Sequence, residues 1–259
     1  MDLYLDKIHN NKIMEAIAEF NLINPEENIL VALSGGKDSA FLLYALKILS
    51  KHTTLNFTVD AITVDLGFKS SNHLSYLQYL SEQLEVNLKV IETDIYKYIL
   101  NKEENNPCAK CAHFKKGALV NYMKNNGYKK LAFGHHYDDA IETFLISILY
   151  SGQLKTLQPK RYLSRNEVFI IRPLIYLREK RIASAKNRIE FNDSINKCPY
   201  EDKGKRQEIK GLLKEVEYNK QIFYNIASAM REDSIREMWP TKPAGSELLK
   251  IINNLWKSN

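Results

Sequence analysis

Residues 29–46 read ILVALSGGKDSAFLLYAL, and this stretch decides the fold. It begins apolar, like a short buried strand, and it becomes apolar again after Ser39 at helical spacing. Between the apolar parts, over 34–39, lie two glycines, a lysine, an aspartate and two serines. Such a turn between a strand and a helix lies at the carboxyl edge of a parallel sheet. Backbone N–H groups and the helix dipole attract phosphate there.

The residue types of this turn favour a bound anion. Gly35 and Gly36 lack a Cβ and allow positive φ, so the backbone can wrap around a phosphate. The hydroxyls of Ser34 and Ser39 are donors, and Lys37 is positively charged. An incidental turn would explain the glycines but not the lysine with two hydroxyls. The spacing is not that of the GxxxxGK[ST] P-loop, so another type of phosphate-binding turn is indicated.

Strand and helix patterns alternate from this stretch onward. Strand patterns cover 28–33, 57–65, 87–92 and 129–134, and helical patterns cover 37–50, 70–84, 108–126 and 138–151. This alternation predicts an α/β fold with a doubly wound parallel sheet. The remaining patterns predict an amphipathic helix over 2–21, a hairpin over 160–174 and helices from 202 onward.

We expect three parts along the chain. They are a helical N-terminal extension over 1–27, a catalytic domain over 28–200 and a helical C-terminal region over 201–259. The sequence contains no internal repeat and no low-complexity linker.

The composition is that of an ordinary globular protein, with 259 residues, of which 44% are hydrophobic and 26% are charged. No apolar run approaches the roughly 18 residues that a membrane helix needs. The first twenty residues lack the apolar segment of a signal peptide. We therefore expect a cytoplasmic protein that does not interact with a membrane.

The positive charge is concentrated in one part of the chain. The net charge is +6, and residues 151–215 alone carry 16 Lys/Arg against 8 Asp/Glu. A basic segment next to a nearly neutral one suggests a polyanionic partner such as a nucleic acid. The alternative is a solvated, lysine-rich surface.

The cysteines indicate metal or redox chemistry. Only Cys108, Cys111 and Cys198 are present, and so small and odd a set argues against a disulfide framework. Cys108 and Cys111 form a C-x-x-C pair, one helical turn apart. Three thiolates leave one iron of a [4Fe-4S] cluster open. The spacing alone leaves three alternatives: this cluster, zinc with a histidine such as His113, and a thiol or structural role.

Four motifs together resemble a known family. The turn SGGKDS (34–39) resembles the signature of the PP-loop ATP pyrophosphatases. With CAKCAHFKKGAL (108–119), FGHHYDDAIETF (133–144) and IRPLIYLREKRI (171–182), the chain resembles the TtcA group of PP-loop tRNA thiolases, the tRNA 2-thiocytidine synthetases. The resemblance extends nearly from end to end, and the combination is far more specific than any one motif.

The resemblance implies a fold, cofactors and a reaction. The fold is the PP-loop, or HUP-like, adenine nucleotide alpha hydrolase-like fold. ATP and Mg²⁺ bind at the turn, which grips the β- and γ-phosphates while the α-phosphate stays open to attack. A [4Fe-4S] cluster is held by Cys108, Cys111 and Cys198. The substrate is tRNA, with the anticodon-loop cytidine at position 32 as target, and the protein is a homodimer.

The same resemblance implies roles for individual residues. Lys37 and Asp38 act on the phosphates and Mg²⁺, Lys115 orients the adenylated base, and Asp139 contacts ATP and Mg²⁺ or relays a proton, with Asp138 as the alternative. The predicted ATP-binding residues are Ala32, Leu33, Ser34, Gly35, Gly36, Lys37, Asp38, Ser39, Val64, Gly134 and Asp139. Val64 and Leu66 would contact adenine, and Gly134 would allow close approach of the nucleotide.

Several of these residues have a simpler structural alternative. Lys115 can lie on a solvated helix face, and Asp65 can cap the following helix. His135 and His136 can serve packing or capping.

The basic segment supplies the predicted tRNA path. Its residues are Lys155, Lys160, Arg161, Arg172, Arg178, Lys180, Arg181, Lys205 and Arg206. Such side chains fix the RNA through its phosphates. Tyr162, Tyr176 and Tyr200 are candidates for stacking on an unpaired base, although packing explains each tyrosine as well.

Two features depart from the TtcA pattern. Cys198 lies in a lone KCPY context, and Lys115 stands where that group often carries arginine. Both resemble the TtuA group, which thiolates a T-loop uridine, but that group carries terminal zinc-binding cysteines that this sequence lacks. The sulfur donor is either a cysteine desulfurase persulfide or free sulfide.

Two other classes are weighed against a thiolase. One is an amide-forming ATP pyrophosphatase, such as an asparagine or NAD synthetase, in which the three cysteines have no role. The other is a nucleotide- or redox-sensing module without a tRNA surface.

Overall fold

The computed structural model describes residues 4–67, 71–100, 107–187, 205–216, 220–231 and 244–247. Cys198 and Tyr200 lie outside the described residues. The helices of this part are α1 (Lys7–Glu19), α2 (Lys37–His52), α3 (Ser71–Gln83), α4 (Ile95–Leu100), α5 (Pro107–Asn125), α6 (Tyr137–Ser151), α7 (Glu179–Ala183), α8 (Lys205–Val216) and α9 (Lys220–Ala229). The strands are β1 (Asn28–Ala32), β2 (Thr58–Asp65), β3 (Leu88–Glu92), β4 (Lys130–Ala132), β5 (Lys160–Leu163) and β6 (Val168–Ile171).

The six strands form one sheet in the order β3-β2-β1-β4-β6-β5. All neighbours pair in parallel except β5, which pairs antiparallel with β6 at the edge. The predicted α/β fold with a parallel, doubly wound sheet is confirmed, and the predicted hairpin over 160–174 is the β5–β6 pair.

The centre of the sheet is buried between helices, and the middle residues of its central strands are apolar. Ile29, Leu30 and Val31 of β1 are fully buried, as expected for a parallel strand covered on both faces. On one face α5 packs Leu119 and Met123 into a core cluster with Leu30, Ile62, Leu131 and Val168. Helix α2 and α7 contact each other, and α2 also packs on β1 and β2.

Local signals fix several element ends. Helix α1 begins after Asp6, whose carboxylate accepts the N–H of His9, so it is shorter than the predicted 2–21. Helix α6 begins after His136 and ends at Gly152, which adopts the left-handed conformation common after helices. Helix α4 was not predicted.

The chain divides into two compact units, residues 1–215 and 216–259. The three-part organisation over 1–27, 28–200 and 201–259 stays a prediction. In the part of the chain that the structure describes, no helix is both long and apolar enough to cross a membrane.

Candidate active site

The turn between β1 and α2 has an open helix N-terminus. Gly35 has a φ of 87°, and Gly36 is the N-cap of α2 without a side-chain cap. Ser39 Oγ donates to the carbonyl of Gly36 (2.9 Å) and accepts the N–H of Ser34 (3.1 Å). The serines thus brace the turn from within. Uncapped N–H groups at the start of a 16-residue helix fit a phosphate.

A cavity of about 510 Å³ opens at this carboxyl edge of the sheet. It brings together many of the residues predicted from the sequence, namely Ala32, Leu33, Ser34, Asp38, Ser39, Val64, Leu66, Lys115, Gly134, Asp139, Arg161 and Arg172. Gly35, Gly36 and Lys37 belong to the same turn but do not line the cavity. His73, Lys116 and His135 line it as well, and the first two were not predicted.

Strand β2 extends beyond β1 at the cavity. Pairing between the two strands ends at Ala32 and Ile62, and the carbonyl of Ile62 accepts the N–H of Leu33. Because backbone groups alternate sides along a strand, those of Val64 point the same way as those of Ile62. Val64 therefore presents its N–H and C=O past the end of β1, where it lines the cavity. This geometry suits the edge of an adenine ring.

Two glycines in the site make room for protein atoms. A Cβ on Gly35 would lie 2.4 Å from Cε1 of His73, so the histidine of α3 packs directly on the turn. A Cβ on Gly134 would lie 2.8 Å from both the carbonyl carbon and the oxygen of Asp38. The absent Cβ of Gly134 thus makes room for the α2 backbone, and close approach of the nucleotide to Gly134 stays a prediction.

Lys37 is held by two carboxylates. Its Nζ lies 2.7 Å from Oε1 of Glu179 and 3.1 Å from Oδ2 of Asp38. Burial acts to lower the pKa of Lys37, but Asp38 and Glu179 outweigh burial and raise it. Glu179 was not singled out from the sequence, since only the charged run 178–181 hints at it.

Asp38 carries the feature that best fits a cation. Its Oδ1 is buried and accepts no hydrogen bond from the described residues. Burial raises the pKa of Asp38, against the opposing effects of Lys37 and His136. A buried carboxylate oxygen without a donor, at the edge of a phosphate-binding turn, is a suitable Mg²⁺ ligand.

Asp139 and His136 form a capping box at the start of α6. The N–H of His136 donates to Oδ2 of Asp139 (2.9 Å), and the N–H of Asp139 approaches Nδ1 of His136 (3.4 Å). The capping alternative for His136 is confirmed, and an acid three residues after a polar N-cap was its visible signal. Oδ1 of Asp139 also pairs with Arg206 (2.7 Å).

Asp138 does not line the cavity, and its carboxylate is hydrogen-bonded to residues at the start of α7. It accepts from Nε of Arg178 (2.9 Å) and from the N–H of Glu179 (2.7 Å). It therefore ties the start of α7 to the start of α6. Its neighbour Asp139 lines the cavity and Asp138 does not, which favours Asp139 for a role in the chemistry.

One wall of the cavity is basic, with Lys115, Lys116, Arg161 and Arg172 among its lining residues. Nε of Arg172 donates to Nδ1 of His135 (3.2 Å). Burial and Arg172 lower the pKa of His135 to about 4, so this imidazole is neutral at pH 7. Burial and Arg161 lower the pKa of Arg172 to about 10, which leaves it charged.

The cysteine pair lies on the helix that also lines the cavity. Cys108, exposed, and Cys111, half-buried, are in the first turns of α5, and Lys115 follows one turn later. Among the described residues no group of three or more His, Cys, Asp or Glu is arranged to hold a metal. The third predicted ligand, Cys198, is outside those residues, so three-cysteine ligation stays a prediction.

The residues of the predicted tRNA path have different surroundings. Lys155, Lys180, Arg181 and Lys205 are exposed. Arg178 and Arg206 pair with acids of the site, and Nζ of Lys160 donates to the carbonyl of Asn21 (2.5 Å). Tyr162 is exposed beside Phe169, whereas the hydroxyl of Tyr176 donates to Glu19 (2.6 Å). Asp65 accepts from the N–H of Gly67 and so braces its own loop.

The comparisons with known proteins agree on one family. The model of the PP-loop domain matches residues 5–210. The chain is 33% identical over 244 residues to the tRNA-cytidine(32) 2-sulfurtransferase of Ralstonia pickettii (strain 12J), covering 92% of this chain and 75% of the relative. It is 35% identical over 211 residues to that of Vibrio vulnificus (strain YJ016), covering 77% of this chain and 65% of the relative.

Solved structures support the fold. The U34-tRNA thiolase NcsA from Methanococcus maripaludis with its [4Fe-4S] cluster superposes with a TM-score of 0.74 at 22% identity, covering 92% of this chain and 82% of that one. The NMN synthetase from Francisella tularensis gives a TM-score of 0.51 at 14% identity, covering 93% and 99%. The motif resemblance is thereby confirmed: the chain belongs to the family of the tRNA-cytidine(32) 2-sulfurtransferases, transferases built on the PP-loop domain.

Proposed function

We propose that this protein uses ATP to adenylate the 2-oxo group of a tRNA cytidine, at position 32 of the anticodon loop, and replaces that oxygen with sulfur. One observation carries the proposal. A single cavity is bordered by a phosphate-binding turn, a basic wall and the helix of the C-x-x-C pair. These are the three parts that activation, RNA binding and sulfur delivery require. The family relatives share the reaction in their names.

Activation is needed because a pyrimidine 2-oxo group is a poor leaving group. Attack of this oxygen on the α-phosphate of ATP forms an adenylate and releases pyrophosphate, and AMP can then leave. The uncapped N–H groups of α2 and Lys37 would bind the β- and γ-phosphates. Oδ1 of Asp38 would hold Mg²⁺, which offsets the charge that develops on pyrophosphate.

Sulfur delivery falls to the cysteines. Cys108 and Cys111 fit a soft metal, since both are thiols on one face of the first turns of α5. With Cys198 they would hold a [4Fe-4S] cluster, which when bound supplies an iron that can take a sulfur ligand from a persulfide or free sulfide. Because Lys115 follows Cys111 by one turn, the same helix would position both sulfur and base.

Lys115 would orient the adenylated base from the cavity wall, and Asp139 would contact ATP and Mg²⁺ or relay the proton. The exposed cations Lys155, Lys180, Arg181 and Lys205 extend the basic surface outward for the tRNA. A cytoplasmic location, a homodimer and a sulfur donor that is either a cysteine desulfurase persulfide or free sulfide belong to the same proposal.

Nucleoside analysis of tRNA from a deletion strain tests the proposal. We expect 2-thiocytidine to disappear, to return with the wild-type gene, and not to return with D38N or C108S. The matched control K110A changes an exposed residue between the two cysteines and should restore the nucleoside. Loss of a thiolated uridine in place of 2-thiocytidine would redirect the proposal to a uridine thiolase, and unchanged thionucleosides would refute it.

A further inference from the structure

Arg172 is a buried cation whose guanidinium makes no hydrogen bond or ion pair with an acid among the described residues. Only 7% of the residue is exposed. Its guanidinium donates to Nδ1 of His135 (3.2 Å) and to the carbonyl of Gln158 (2.5 Å), and both acceptors are neutral. A buried guanidinium without a directly bonded counter-charge is costly to the folded state. Its presence at the wall of an open cavity indicates that a ligand supplies the negative charge.

Two further cations reinforce this positive potential. Lys116 and Arg161 line the same cavity, and within the described ranges the side chain of neither makes a hydrogen bond or an ion pair. Burial lowers the pKa of Lys116, and Arg161 and Arg172 lower it further, so the three groups repel one another. An anion among them would relieve both the burial cost and the repulsion.

The acids that line the cavity make no direct ion pair with these cations, and Asp139 acts on Arg172 only as a longer-range charge, which opposes the lowering of its pKa by burial. Asp139 accepts from the N–H of His136 and pairs with Arg206. Asp38 pairs with Lys37, and Asp65 accepts from the N–H of Gly67.

The basic group is also separate from the phosphate-binding turn. The turn follows β1, whereas Arg172 follows β6, which lies two strands away, and Arg161 is on β5, one strand further. Neighbouring strands are about 4.8 Å apart, so the separation along the sheet edge is roughly 10 to 15 Å. The two places therefore suit two different phosphate groups, with room for a base between them.

We propose that Arg172, Arg161 and Lys116 form a subsite for one phosphodiester of the RNA strand, next to the nucleotide that is modified. The inference rests on the proposed function, because it takes RNA as the substrate. A phosphodiester reaches the inside of a cavity only when its strand is unpaired and turned out of the stack. The subsite would thus select a loop nucleotide and direct its base towards the phosphate-binding turn.

Single substitutions with matched controls test the subsite on the cluster-loaded protein. K116Q and R161Q remove cations of the subsite. The controls K124Q and R165Q remove cations from the same helix and from the β5–β6 turn, and neither residue lines this cavity. The probe is an RNA stem-loop with a cytidine at the modified position, used as such and with a neutral methylphosphonate at a phosphate flanking that cytidine. Thermal unfolding checks that each variant folds.

The methylphosphonate should weaken binding to the wild type and both controls by about tenfold, the size of one charge-assisted contact. K116Q and R161Q should bind the unmodified RNA more weakly and lose most of this discrimination. The affinity for an ATP analogue that cannot be cleaved between the α- and β-phosphates should stay the same in all variants.

Two results would overturn the subsite while the proposed function stands. One is that K116Q and K124Q distinguish the unmodified RNA from the methylphosphonate RNA equally well, on an RNA that the wild type thiolates. The other is a loss of affinity of K116Q for the ATP analogue as large as its loss for RNA, which would assign the cations to the nucleotide. Failure of the wild type to bind or thiolate RNA would instead refute the proposed function, and the subsite with it.

Discussion

At the residue scale, Gly134 sets how closely β4 approaches the phosphate-binding turn. A Cβ there would lie 2.8 Å from the Asp38 carbonyl and 3.0 Å from the N–H nitrogen of Ser39. Backbone cannot move aside as a flexible side chain can, so G134A must displace the start of α2. We expect this overpacking to lower the free energy of unfolding by about 1–3 kcal/mol and to weaken ATP binding.

Urea unfolding and ATP titration measure both effects. G117A is the matched control, since a Cβ on Gly117 in α5 would meet nothing within 4 Å. It should leave ATP binding unchanged and raise the stability by up to about 1 kcal/mol, because alanine favours a helix over glycine. Equal stability of the two variants would contradict the argument.

A second residue-scale prediction concerns acid stability. Lys130, only 3% exposed, lies 2.5 Å from Glu27. Burial acts to raise the pKa of Glu27, but hydrogen bonds from Lys130 and Asn24 outweigh it and lower the pKa below the ordinary 4.5. The folded state thus binds the proton less readily than the unfolded state. The stabilisation is complete above the ordinary pKa and is lost as the pH falls through the lowered value.

Unfolding free energies between about pH 6 and pH 3 check this sign. E27Q should be less stable than the wild type at pH 6, and its stability should fall less steeply as the pH drops. E26Q, a change at the exposed neighbouring acid, should keep the wild-type slope. If the unfolding free energy of E27Q fell with pH as steeply as that of the wild type, the pair of Glu27 and Lys130 would not stabilise the fold.

At the scale of elements, Arg206 of α8 pairs with two acids of α6, in addition to the contacts of Lys205 and Glu208 with Tyr150 and of Lys210 with Glu142. Nε of Arg206 lies 2.7 Å from Glu142, and Nη2 lies 2.7 Å from Asp139. Burial raises the pKa of Glu142, against the pull of Arg206, so this carboxylate depends on its partner. R206A should lower the free energy of unfolding by roughly 1–3 kcal/mol and speed amide exchange throughout α8.

Hydrogen exchange followed by mass spectrometry measures the amide exchange of each helix separately. R206A/E142Q should recover part of the loss, because the unpaired buried charge is removed as well. K214A, which removes an exposed cation of the same helix, should leave the exchange of α8 unchanged. If R206A also left the amide exchange of α8 unchanged, the pairing of Arg206 with Glu142 and Asp139 would not stabilise α8.

The element scale also shows what can be derived from sequence. The strands β1 to β4 lie within two residues of the predicted 28–33, 57–65, 87–92 and 129–134. For β1, β2 and β4 the reason is that buried parallel strands carry apolar runs, whereas β3 is a half-exposed edge strand found from its alternation with the helices. Helix α4 was missed because its six residues are too few to show a helical period. The position of β6 between β4 and β5 is set by packing, which no local pattern records.

The site was predicted where its residues are close in sequence. The turn 34–39 and the C-x-x-C pair were recognised because their spacing itself carries the chemistry. The pair of Lys37 with Glu179 joins residues 142 positions apart, and only the fold brings them together. The partners of Arg172 and of Arg206 are also distant from them in sequence, so only the three-dimensional structure reveals these contacts.

At the scale of the whole molecule, the uneven charge predicts steep salt dependence of tRNA binding. Residues 151–215 carry 16 Lys/Arg against 8 Asp/Glu, while the whole chain has a net charge of +6. Each neutralised phosphate contributes a slope of about −0.7 to −0.9 in log K against log salt. Five or more contacts would give a slope near −4, to be measured by filter binding between about 50 and 200 mM salt.

A tRNA with a different anticodon loop serves as the comparison. Its overall affinity should be lower, but its slope should be similar, since phosphates carry no sequence information. A slope shallower than about −2 would mean that the basic segment is a solvated surface and not the RNA path.

The order of the strands has a consequence for synthesis on the ribosome. Strand β4 pairs with β1 on one side and with β6 on the other, and β6 is translated after the other five strands of the described residues. A nascent chain that has emerged only as far as α6 therefore exposes the bare edge of β4. It also lacks Glu179, the counter-ion of Lys37. The phosphate-binding turn is thus the earliest part of the site to be made and among the last to be completed.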